Sequence, residues 1–180
     1  MDSMPLNEPS FQLLLSTVDD IIETSAMQNV ETASDEDKMT LIDAVMRAVC
    51  RECTSRVKIE RNVSFKCKAL QAFGRVDLLR DGEMEKAIVI QCNENEFDKA
   101  MAQMAVILET ALLERVAREP EMNEHIYGIV SDFLTWKVME LGPEEARFCT
   151  LKNENKKEDG LRLAVGALAA LLQGKEAREI

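Results

Sequence analysis

A single histidine, one tryptophan and one tyrosine among 180 residues leave little from which to build several familiar kinds of site. A Ser-His-Asp or Cys-His nucleophile would have to run through His125. Trp136 and Tyr127 are too few to form an aromatic platform on which bases stack. Neither GxxxxGK(S/T) nor GxGxxG occurs, so both glycine-rich phosphate cradles are missing. No apolar run approaches the roughly 20 residues that cross a bilayer. Residues 1–10 carry Asp2 and Glu8 but no Lys or Arg, unlike the basic start of a signal peptide. The expectation is an intracellular protein of the cytoplasm or nucleus that makes no use of a membrane. The cysteines agree: five is an odd number, and a zinc site built on Cys50 and Cys53 lacks its other two ligands. Cys50, Cys53, Cys67, Cys92 and Cys149 are therefore expected to be buried thiols that behave as small hydrophobes.

What the chain does have is an ordinary globular balance, 46% hydrophobic and 31% charged, in a length that suits one core. Its net charge of −11 disfavours nucleic acid, whose phosphates attract cations. The charge is unevenly spread, however. Residues 47–80 hold nine Lys or Arg against Glu52, Glu60 and Asp77, a net +6, which leaves −17 elsewhere. Within that segment Arg56, Lys58, Arg61, Lys66, Lys68 and Arg75 are the candidate nucleic-acid contacts. The plainer reading is that they are solvated cations on strand and helix edges.

Periodicity orders the elements. Phe11, Leu14, Leu15, Val18, Ile21 and Ile22 fall on one helical stripe, with Ser10 as a natural N-cap. A polar stretch follows, so residues 1–33 read as an N-terminal helix and linker ahead of a domain spanning 34–180. Ser34 and the acid three residues later open a second helix carrying Ile42, Val45, Met46 and Val49 on one face. From Val57 the period shifts to strands, with Asp81-Gly82 as a hairpin turn and 87–90 as a strand covered on both faces. A helix through Phe97, Met101, Met104 and Leu108 comes next. Residues 126–130 form another buried strand, 132–135 turn the chain, and 136–141 alternate like a half-exposed strand. Residues 147–151 suit an edge strand, and a Leu-rich helix ends the pattern. The order αα-βββ-α-ββ(β)-α predicts an α/β domain with a mixed central sheet flanked by helices.

The chemistry concentrates on one hairpin. Asp77 lies within the run Gly74-Arg-Val-Asp-Leu-Leu79, Gln91 and Asn93 end the next, and Gln103 lies on the helix that follows. A tight turn would set Asp77 beside residue 91, and alternation points 91 and 93 to one face. This layout resembles the PD-(D/E)XK nuclease superfamily over about 39–151. That pattern has an Asp on one strand, an acid-x-Lys triplet on the next, and often a Gln on the following helix. The resemblance implies a restriction-endonuclease-like fold, with Asp77 at the first position and Gln103 at the last. Gln91 stands in place of the acid and Asn93 in place of the Lys.

Those departures argue against an ordinary nuclease. Losing a positioned acid–base group costs on the order of 10²–10⁴ in rate, and losing an electrostatic stabiliser roughly 10²–10³. The expectation is a catalytically inactive domain, without a cofactor, that binds a protein or a nucleic acid. One alternative is an active Mg²⁺-dependent nuclease in which Asp77 and a substitute acid, Glu52 on the second helix, hold the metal. The other is an unrelated α/β scaffold whose terminal helices dock partners.

Overall fold

The N-terminal helix starts earlier than its apolar stripe suggests. In the computed structural model, which describes residues 6–25, 30–53, 57–67, 72–81, 84–92, 96–118, 125–142, 145–152 and 157–173, helix α1 spans Glu8–Thr24. Its N-cap is Asn7, whose side chain accepts from the Ser10 N–H at 3.3 Å, so Ser10 lies inside the first turn instead of capping it. Pro9 explains the shift, because proline is tolerated in a first turn where its missing N–H has no helical partner. Helix α2, Asp35–Glu52, begins as expected at Ser34. There the Asp37 N–H donates to the Ser34 hydroxyl oxygen (3.1 Å), and that hydroxyl donates to the Asp37 carboxylate (2.6 Å). The hydroxyls of Ser34 and then Ser25 hold the Asp37 carboxyl below its ordinary range.

Three strands follow, β1 (Val57–Cys67), β2 (Ala72–Asp81) and β3 (Met84–Gln91). Helix α3 covers Phe97–Arg118, then come β4 (Ile126–Ser131), β5 (Thr135–Leu141), β6 (Ala146–Lys152) and helix α4 (Lys157–Leu172). The strands form one six-stranded sheet in sequence order. It is mixed: β2 and β3 run antiparallel, whereas β3 and β4 run parallel across α3. The expected element order is thus observed, with a short 3₁₀ turn at Val30–Thr32 added between α1 and α2. The turn residues Gly82 and Glu83 lie outside the described residues, but Asp81 pairs with Met84, which closes a two-residue hairpin.

The chain forms two compact units. The first comprises Met1–Val57, Asp132–Trp136 and Leu151–Ile180. In it α1 packs on α2, and α2 packs on α4. Phe11, Leu14 and Val18 are buried, as are Leu41, Ile42 and Val45 of α2 and Leu161, Val165 and Leu168 of α4. Arg162 stacks 4.0 Å from the centroid of the Phe11 ring and donates to both Glu8 oxygens, at 2.9 and 3.1 Å. The corner 132–135 is an Asx turn, in which Asp132 Oδ1 accepts the Thr135 N–H at 2.7 Å. It holds Phe133 at φ 77, the left-handed region, while the Trp136 indole donates to the Phe133 carbonyl at 3.0 Å.

The second unit comprises Lys58–Ser131 and Lys137–Thr150. Its core lies between α3 and one face of the sheet. Phe97, Ala100, Met104, Ile107, Leu108 and Ala111 meet Ile88, Ile90, Ile126, Val130 and Met139. Gly128 lets α3 approach β4: a Cβ there would sit 2.5 Å from Met104 Cγ and 2.8 Å from Leu108 Cδ1. Ala87, Val89, Tyr127 and Ile129 alternate to the other face and are buried too, so β3 and β4 are covered on both sides, as their unbroken apolar runs predict. The alternation of β5 is misleading in this respect. Val138, Met139 and Glu140 are consecutively buried, so the strand is not half-exposed.

Candidate functional site

Asp77 lies on β2 directly opposite Val89 of β3. Opposed residues share a face of the sheet, and Val89 lies on the face that α3 does not cover. The register arises from a one-residue irregularity. Asp81 pairs with Met84 and Arg80 with Glu85, but Leu79 pairs with Ala87, so β3 holds an extra residue at that step. A regular hairpin would have set Asp77 against Ile88 and so on the α3 face. The bulge reverses this, as a one-residue slip always does.

Position 91 is therefore a diagonal neighbour of Asp77, two residues along from Val89, and not its direct partner. Across the sheet it pairs with Ser131, a buried residue whose carbonyl accepts the Cys92 N–H at 3.0 Å. Only the backbone of Gln91 is described, and Asn93 lies outside the described residues. Gln103 does not join this group. It sits half-buried on α3, which covers the opposite face from Asp77. Of the three motif positions the structure describes, 77 and 91 share a strand pair, and Gln103 lies on the helix over the other face.

Glu52 is engaged elsewhere. Its Oε2 accepts the Asn7 N–H at 3.0 Å, bracing the start of α1, and its carbonyl accepts from Gln173 Nε2 at 2.9 Å. The carboxylate serves its own helical unit instead of standing free as a substitute ligand. Glu94 lies outside the described residues, and Glu96 is exposed, 3.9 Å from Lys99. Among the described residues, no three of His, Cys, Asp or Glu gather into a metal-binding group. Cys50 and Cys53 are reduced thiols. Burial, followed by the nearby Cys53, pushes the Cys50 thiol up to about 12. A thiol so placed stays protonated near neutral pH and is a poor nucleophile or ligand.

The basic candidates divide in the same way. Arg56 and Lys68 lie outside the described residues, and only the backbones of Lys66 and Arg75 are described. Lys58 and Arg61 are exposed on β1, an edge strand, but three residues apart they alternate to opposite faces and make no single stripe.

A polar cluster escaped the sequence reading. Glu140 on β5 is a buried carboxylate whose Oε1 lies 3.0 Å from His125 Nδ1 and accepts from the Tyr127 hydroxyl at 3.3 Å. Gly142 makes room for the imidazole, since a Cβ there would come within 2.8 Å of His125 Cε1. Tyr127 stands opposite Ala87 and so on the face that bears Asp77. The only available signal was a charged residue within an apolar strand pattern at 138–141. The cluster joins the start of β4 to the end of β5.

No family model, curated protein or solved structure matches this chain.

Proposed function

We propose that the chain is a restriction-endonuclease-like α/β domain of the PD-(D/E)XK type, with a decayed catalytic pair, that serves as a binding module for a protein. The observation that carries this reading is the strand pair holding Asp77. One carboxylate stands on β2, and position 91, its diagonal neighbour on β3, is an amide. Gln91 keeps an oxygen but no charge, and Asn93 brings no cation. A divalent ion would then meet one carboxylate where such sites commonly use two. The helix–three-strand–helix–strand order from α2 onward supports the same reading.

The acidic balance of the chain favours a protein partner over nucleic acid. Nucleic acid is the alternative occupant, through the basic 47–80 segment, and an affinity falling steeply with salt would identify it.

The deciding experiment is calorimetry with Mg²⁺ and Mn²⁺ on wild type and Asp77→Ala, with a nuclease assay on the same samples. The reading expects neither metal binding nor cleavage in either protein. Binding and cleavage in wild type, both lost in Asp77→Ala, would replace it with a working nuclease.

A further inference from the structure

We draw no further inference here: the strongest candidate, the polar cluster of His125, Tyr127 and Glu140 that joins the start of β4 to the end of β5, carries nothing, because its contacts at 3.0 and 3.3 Å are made within the cluster itself and nothing in the structure shows what ligand would meet it.

Discussion

Asp77 of β2 stands in register with Val89 of β3, on the face of the sheet turned away from α3. Everything about the candidate site follows from that pairing. It separates Asp77 from Gln103, and it makes position 91 the place where a second carboxylate would complete a cation site.

That place can be refilled. Diagonal neighbours on adjacent strands have Cβ atoms about 7 Å apart, a span two carboxylates can bridge through a divalent ion. Gln91→Glu combined with Asn93→Lys should therefore bind Mn²⁺ more tightly than wild type does, and adding Asp77→Ala should remove that gain. Calorimetry on the three proteins measures this. A double variant that binds Mn²⁺ no better than wild type would mean that position 91 does not share a site with Asp77.

Gly128 is the second point of leverage. A β-carbon there would overlap Met104 and Leu108 of α3, which belong to the buried core of the second unit. Gly128→Ala should cost about 1–3 kcal/mol through overpacking, lowering Tm by roughly 2–4 °C per kcal/mol. Pairing it with Met104→Ala, which opens space beneath the new methyl, should give a double variant less destabilised than the sum of the singles. Additive losses in thermal melts would show that the close approach does not matter.

The ion pair between α1 and α4 predicts a pH dependence. Donation from Arg162, and next from Gln12, holds the Glu8 carboxyl down to about 2 from an ordinary 4.5. A depressed carboxyl stabilises the fold above its ordinary value and loses that contribution as pH falls from 4.5 through 2. Glu8→Gln should thus lower Tm slightly at pH 7, and the gap from wild type should close toward pH 2. High salt should narrow it as well, since the pair is exposed. A gap independent of pH would assign the effect to the stacking of Arg162 on Phe11.

Much of this architecture was legible in the residues. The stripes of α1 and α2, the unbroken apolar runs of β3 and β4, and the corner at 132–135 all announce themselves by period or turn chemistry. Register was not legible. The apolar pattern of 72–91 suits a regular hairpin as well as a bulged one, and the single extra residue in β3 decides which face Asp77 takes. Glu140 was hidden for a related reason. A charged residue in an alternating strand reads as solvent-facing, and only the His125 and Tyr127 contacts explain its burial. The start of α1 was misplaced because Ser10 is a good capping residue type, whereas Asn7 is the cap and Pro9 is tolerated in the first turn.

The Cys50 thiol gives the last prediction. Burial and then the neighbouring Cys53 raise it to about 12 from an ordinary 9, so the folded protein keeps it protonated where an unfolded chain would ionise it. A raised thiol contributes stability below pH 9 and loses it as pH climbs from 9 toward 12. Two outcomes follow. At pH 8 Cys50 should react with a disulfide reagent far more slowly than in urea, as mass spectrometry of the modified peptides would show. Cys50→Ala should be destabilised near neutral pH by the lost packing, but its deficit against wild type should shrink between pH 9 and 11 as the thiol's contribution fades. Rapid labelling of Cys50 in the folded protein would contradict both, and would reopen Cys50-x-x-Cys53 as a reactive pair.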